Sequence, residues 1–337
     1  MDTHTILAGD LGATKTNLAL FSSAKGTTEP LSEATFQSSD YEDLASIVHT
    51  FLSPFGRKID LAVFGVAGPV VNGEARITNL NWLLSEEKLQ NSCQLTKVVL
   101  MNDLVATANA IPYLASEDFF EIHKGRKEKK GAMAVIAPGT GLGEAFLVWD
   151  GNRYRAYPSE GGHVDFAPTD KIESELASFL QIRFSHVSYE RLCSGKGLPN
   201  IYDFVKQTGL ASEEEWVRKR LDSVDDPTPV IVEGALSAKK TCHLCKAVLR
   251  IFIRILGAEA GNLALKVLAT GGVYLGGGIP PRILDAIVED DIFVESFLRK
   301  GRMADMLAAI PVRVITNPKA ALLGAAAYGL YQGAGDE

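Results

Sequence analysis

A chain of 337 residues has room for about two domains and an ample core. Its 46% hydrophobic and 22% charged residues are the proportions of an ordinary globular protein. A formal charge of −7, with no Lys/Arg-rich block, argues against a nucleic-acid surface, and no run of about 18 apolar residues offers a membrane span.

The start, Met1 to Thr5, lacks the basic opening and apolar stretch of a signal peptide, so a cytoplasmic location is expected. Strands are expected at 5–9 and 17–22, joined by Gly9-Asp10-Leu11-Gly12-Ala13-Thr14. This segment stops one residue short of a P-loop, because Thr14 stands where that loop needs glycine. A P-loop also opens a helix, whereas Asn17 to Phe21 is a short apolar run that suits a strand. A helix is expected from Tyr41 to Phe51, strands at 61–67, 75–78 and 97–101, and a helix from Asp103 to Ala110 stopped by Pro112. The basic cluster Lys124 to Lys130 precedes the next strand and reads as a solvated loop.

Mid-chain, strands at 132–137, 144–149 and 153–157 restart the pattern. The first two flank Gly139-Thr140-Gly141-Leu142-Gly143, which imitates a dinucleotide fingerprint but is likewise followed by a strand. Converging backbone N–H groups in a glycine-rich turn hold phosphate oxygens. Two such hairpins point to a nucleotide-using enzyme with a duplicated α/β core and a cleft between lobes. Helices are expected at 171–183, 188–193, 199–207, 212–221, 230–239 and 240–268, with short strands at 273–275 and 312–315. Lys319 to Tyr331, rich in Ala and Gly, reads as a helix able to pack very closely on a neighbour. Four cysteines make no disulfide framework. Cys242 and Cys245 have half the spacing of a zinc site but fall on a helical apolar pattern with Leu249, Phe252 and Leu256.

Three polar groups could carry chemistry. Asn102-Asp103 ends a strand and opens a helix, where either residue could simply cap. Glu160-Gly161-Gly162-His163 holds an acid and an imidazole in a compact turn, though a charged surface loop reads the same way. Glu190 could be an ordinary helix-surface acid. Together these amide, carboxylate and imidazole groups suit a polyhydroxylated substrate, whose hydroxyls both donate and accept.

Six motifs then occur in the order found in bacterial-type glucokinases of the hexokinase–actin-like ATPase superfamily, and the chain resembles that family nearly end to end. They are Gly9 to Thr14, Asn102-Asp103, Pro138 to Gly143, Glu160 to Pro168, Ser188 to Gly195 and Gly276 to Pro280. The resemblance implies a two-lobed actin-like ATPase (ribonuclease H-like) fold with an interlobe active-site cleft. A small α/β domain would span 1–111 plus 318–337, and a large one 112–317. It also implies phosphorylation of the 6-hydroxyl of glucose by MgATP. Gly9, Asp10, Leu11, Gly12, Ala13, Thr14, Gly139, Thr140, Gly141 and Gly143 would be phosphate contacts, with Gly277 and Gly278 beside the adenosine. Asp10 would face Mg²⁺ through water. Asn102, Asp103, Glu160, His163 and Glu190 would bind glucose, Asp103 also being the catalytic base. A homodimer is implied as well. Rival readings are a kinase for another hexose, a non-catalytic sugar sensor, and a chaperone- or filament-type ATPase. The chain departs from the family's usual Gly-Gly-Thr-Asn at Gly12-Ala13-Thr14-Lys15, and it lacks the Cys-rich zinc motif of the repressor-type sugar kinases.

Overall fold

The computed structural model describes residues 4–12, 14–56, 59–77, 80–240 and 242–331. Ala13, Thr78 and Thr241, which belong to the expected first loop, the expected strand at 75–78 and the expected helix at 240–268, lie outside them. In chain order the first elements are β1 (Thr5–Leu11), β2 (Lys15–Ser22), β3 (Ser32–Gln37), α1 (Leu44–Leu52) and β4 (Leu61–Val66). Then come β5 (Val70–Val71), β6 (Glu74–Ile77), β7 (Trp82–Ser85), α2 (Glu86–Ser92), β8 (Val98–Asn102) and α3 (Asp103–Ala110). The middle holds β9 (Phe119–His123), β10 (Met133–Pro138), β11 (Leu142–Trp149), β12 (Tyr154–Ser159), α4 (Lys171–Gln181), α5 (Leu198–Thr208), α6 (Glu215–Leu221) and α7 (Thr228–Leu236). The rest is α8 (His243–Val267), β13 (Val273–Leu275), α9 (Leu284–Glu289), α10 (Ile292–Leu298), α11 (Ala304–Ala308), β14 (Val312–Ile315) and α12 (Ala320–Tyr331).

The chain divides into two compact units: Met1–Asp118 with Asp150–Pro158 and Asn317–Glu337, and Phe119–Trp149 with Ser159–Thr316. In the first, a sheet runs β3-β2-β1-β4-β8, with β1 antiparallel to β2 and parallel to β4, and β4 parallel to β8. The alternation of strand residues covers both faces of this sheet. Leu7, Leu11, Leu18 and Leu20 pack with Ile47, Val48 and Phe51 of α1. Ile6, Ala8, Ala19 and Phe21 pack with Ala106 of α3 and Leu322, Ala325 and Ala326 of α12. Helix α12 approaches α3 so closely that a Cβ on Gly324 would overlap the carbonyl oxygen of Ala106. The Ala/Gly-rich composition anticipated that contact.

The second unit repeats the plan: β10 is antiparallel to β11 and parallel to β13, and β13 is parallel to β14, with β9 antiparallel beyond it. Strand order β2-β1-β4-β8 in one unit thus matches β11-β10-β13-β14 in the other. This is the duplicated core expected from the two glycine-rich hairpins. Around it α8 is buried over most of its length, packing Val248, Phe252, Ile255 and Leu256 into the larger core. Cys242 caps α8, its Sγ accepting the Cys245 N–H at 3.2 Å, and both cysteines are buried. Helical packing and capping explain the Cys spacing. Among the described residues no helix is long and apolar enough to cross a membrane.

Strands β3 and β9 were not expected: Ser32–Gln37 is mostly polar, Phe119–His123 spans only 5 residues, and both are half-exposed edge strands. The expected helix at 188–193 is only a 3-10 turn, Tyr189–Arg191. Buried Tyr189, Leu192 and Cys193 create helical spacing there, but the next backbone bonds go to a glycine turn instead. Helices α9 to α11 were also missed. Each is too short to show periodicity.

Candidate active site

In the first unit the parallel strands bring their carboxyl ends to one sheet edge, where ligands of open α/β sheets bind. Leu11 of β1 pairs with Val66 of β4, and Val66 with Asn102 of β8, so Asp10 and the Asn102-Asp103 pair leave the same edge. Gly65 lies between them in register, and a Cβ there would meet the Ala106 Cβ at 3.1 Å. Its bareness lets the first turn of α3 seat on β4 and fixes where Asp103 begins.

Asn102 does cap α3: its Oδ1 accepts the Leu104 and Val105 N–H groups at 2.9 and 3.3 Å, while its Nδ2 donates to the Gly68 carbonyl at 3.1 Å. Asp103 is half-buried, and its Oδ1 accepts the Leu104 N–H at 2.9 Å. Burial pushes its pKa up to about 6, against the pull of that N–H and with help from the negative charge of Asp10. Burial also raises the pKa of Asp10, opposed by Asn17, whose Nδ2 donates to it at 3.3 Å. Two carboxylates that repel each other at a strand edge suit a divalent cation. Among the described residues no third His, Cys, Asp or Glu joins them in a metal cluster. Such a site fits Mg²⁺, which takes one or two carboxylates and fills its shell with water and substrate phosphate oxygens.

The loop after β1 is fastened from behind. Gly12 donates its N–H to Lys15 O at 2.9 Å, closing the turn. Buried Ser38 donates from its backbone to Thr14 O at 2.9 Å and from Oγ to Gly12 O at 3.0 Å. Gly9 sits inside β1, where a Cβ would press on Phe64 and Leu18, so packing accounts for that glycine. Leu11 is buried in the core, Thr14 is exposed, and Ala13 lies outside the described residues.

The second unit holds the other candidates. Gly139 donates to Gly141 O at 2.8 Å and accepts from the Gly195 N–H at 2.7 Å, so the loop after β10 is tight and braced. Thr140 is exposed at its tip. Gly141 lies against the Glu190 carboxylate, where any Cβ would collide, and Glu190 Oε2 accepts the Leu142 N–H at 3.0 Å. Gly143 follows within β11. The Gly276-Gly277-Gly278 turn packs on the same loop. Gly276 donates to Ile136 O and Ile279 to Pro138 O, and Gly277 has φ +80°, a conformation that favours glycine. Gly277 and Gly278 are exposed.

Glu160, His163 and Glu190 are brought together. His163 Nε2 lies 3.9 Å from Glu160 Oε2 and 4.0 Å from Glu190 Oε2. Glu160 is 84% exposed and Glu190 28%, so one acid reaches outward while the other is held by the loop. His163 and Glu190 also line an open cavity of about 290 Å³ with Arg183, His186 and Arg191. Reading the sequence missed Ser38, which sits on an unrecognised strand end, and the backbone contact of Glu190. Neither leaves a periodic or motif signal.

A glucokinase family model matches residues 7–331 of this chain. The chain is 38% identical over 334 residues to a glucokinase of Trichormus variabilis, covering 95% of this chain and 97% of the relative. It is 38% identical over 323 residues to a glucokinase of Psychromonas ingrahamii, with 96% of each covered. Among solved structures, a glucokinase from an Antarctic psychrotroph superposes with TM-score 0.81 at 31% identity, covering 96% of this chain and 98% of that one. A ROK-family glucokinase from Streptomyces griseus, solved with glucose and AMPPNP, shares the fold at TM-score 0.61 and 20% identity, covering 96% of this chain and 98% of its own. The duplicated α/β core is that of the actin-like ATPases. The paired loops and the carboxylates at the strand ends stand within a match that runs almost end to end, and the chain belongs to the glucokinase family.

Proposed function

We propose that this protein transfers the γ-phosphoryl group of MgATP to the 6-hydroxyl of D-glucose, giving glucose 6-phosphate, as the first step of glycolysis. The observation that carries the reading is Asp103, a half-buried carboxylate held at the start of α3 beside the charge of Asp10. Asp103 accepts the hydroxyl proton as attack proceeds, and an acid poised near neutral is suited to that task. Asn102, Glu160, His163 and Glu190 fix the sugar hydroxyls. The backbone of the loops at 9–14 and 139–143 holds the phosphates, and Gly277 and Gly278 let the adenosine approach. Asp10 would hold Mg²⁺ through water, and the ion would supply charge neutralisation on the phosphate oxygens. Relatives solved with glucose, and with glucose and AMPPNP, support this choice of substrates. A cytoplasmic homodimer belongs to the same reading.

Coupled ADP release across a panel of hexoses and phosphoryl donors tests the proposal. Glucose with ATP is expected to give the highest kcat/KM, and ATP turnover independent of sugar would overturn it. Glu160→Gln keeps the shape of the outward-reaching acid but loses its charge, so glucose KM should rise about tenfold or more with kcat within a few-fold. Unchanged sugar affinity would remove Glu160 from the set.

The acid limb of the rate profile gives a second check. Asp103 works as the anion, so kcat/KM for glucose at low MgATP should be level above pH 7. It should fall tenfold per unit below about pH 6, the value to which burial lifts this group. A limb breaking near the ordinary aspartate value of about 4 would contradict the assignment.

A further inference from the structure

Glu144 follows the second phosphate loop directly, yet its side chain turns inward and is only 2% exposed. Among the described residues no donor reaches either of its oxygens. The polar group within reach is another carboxyl, that of fully buried Glu259 on α8. Glu259 is already supplied with donors: Asn262 Nδ2 at 2.8 Å and Lys266 Nζ at 3.3 Å. Two facing acceptors bond only if one keeps its proton, and these donors assign the negative charge to Glu259. Glu144 then holds the proton and donates it across the pair. Such a buried group is costly unless its partner is in place.

The other neighbour of this carboxyl is the turn that carries two of the sugar candidates. A Cβ on Gly161 would overlap Glu144 Oε2, and one on Gly162 would overlap the Leu142 carbonyl. Leu142 and Glu144 are two apart on β11 and so share a face. The turn thus rests on β11 at two points, with its third tie from the Gly161 N–H to Ser159 Oγ at 3.0 Å. No bulkier residue fits between turn and strand. Glu160 and His163 project from either end of this seat.

We propose that Glu144 is a positioning residue for the sugar site, its carboxyl group wedged between Glu259 and Gly161 so as to set the height of the 160–163 turn. This rests on Glu160 and His163 being sugar ligands. The groups that face Glu144 are Glu259 and Lys266 of α8 and Cys193 of the neighbouring segment, while Tyr189 faces Glu259. Burial first, then the charge of Glu259, raises its pKa to about 8, with Lys266 opposing. Below that pH the neutral acid donates to Glu259. Above it two buried negative charges face each other directly beneath the 160–163 turn.

Glucose affinity of the full chain, followed by titration calorimetry from pH 6 to 9.5, tests this. In the unsubstituted protein affinity should fall as pH rises through about 8. Glu144→Gln keeps a donor toward Glu259 and cannot ionise, so it should hold glucose within about twofold at pH 7 and lose the alkaline fall. Glu144→Ala should weaken glucose about tenfold or more at pH 7 while ATP KM stays within about twofold. An alkaline fall that persists in Glu144→Gln, or normal glucose affinity in Glu144→Ala, overturns the proposal. If Glu144→Ala does not fold, the Glu144→Gln profile alone decides. Loss of affinity in Glu160→Gln with no effect of either Glu144 variant refutes only the role of Glu144. No effect of Glu160→Gln removes Glu160 from the sugar site, and with it the reading on which the role of Glu144 rests.

Discussion

Asp103→Asn is expected to lower kcat by about 10²- to 10⁴-fold, the range for loss of a general base, with glucose KM changed by no more than a few-fold. The substitution is close to isosteric, and its amide oxygen can still accept the Leu104 N–H that Oδ1 accepts now. Helix α3 therefore keeps its start, and what disappears is the proton acceptor. Stability separates this loss from misfolding. A folded-state pKa raised to about 6 means that the folded form prefers the protonated acid. The associated stability is present at low pH and lost as pH rises through 6. At pH 7.5 the ionised carboxylate is thus a net cost, so Asp103→Asn should unfold at an equal or higher urea concentration than the parent. Stability given up at this position is what a working base requires. Near-normal kcat in the variant would end its role as base.

Gly324→Ala should destabilise the protein by about 2 kcal/mol or more, although Ala for Gly in a helix ordinarily gains about 1 kcal/mol. The sign is decided by what the added methyl meets. It would overlap the Ala106 carbonyl oxygen, with the Ala110 nitrogen 2.9 Å away, and both belong to the backbone of α3. No rotamer change relieves such a contact, so one helix must move. Gly56→Ala is the control, since nothing lies within 4 Å of a Cβ there. Urea denaturation should show a lower midpoint for Gly324→Ala and little change for Gly56→Ala. Because α3 begins at Asp103, the shift should reduce kcat as well. A Gly324→Ala protein as stable as its parent would mean that the helices are not seated backbone to backbone.

The duplicated core was legible because each glycine-rich turn lies between two apolar runs, a pattern that survives without knowledge of partners. Asp103 and α3 were legible for the same reason: a buried strand, a polar pair, then a helix ended before Pro112. Edge strands β3 and β9 were not, since half their residues face water and their pairing is decided by neighbours far along the chain. The capping duty of Asn102 was foreseen as an alternative, and the structure realises it. Glu144 went unnoticed for a different reason. A glutamate in a strand reads as solvent-facing, and only tertiary packing reveals that this one points inward beneath a glycine turn.

Glu190 gives one oxygen to the Leu142 N–H and stands beside His163, so a single carboxylate serves two neighbours. Under the proposed function, a hexose that draws on that oxygen also changes the acceptor on which the glycine hairpin leans. On the proposed assignment of the site, linkage makes any such coupling reciprocal: the factor by which nucleotide changes sugar affinity equals that by which sugar changes nucleotide affinity. On that assignment one carboxylate oxygen, Glu190 Oε2, is common to the surroundings of both substrates.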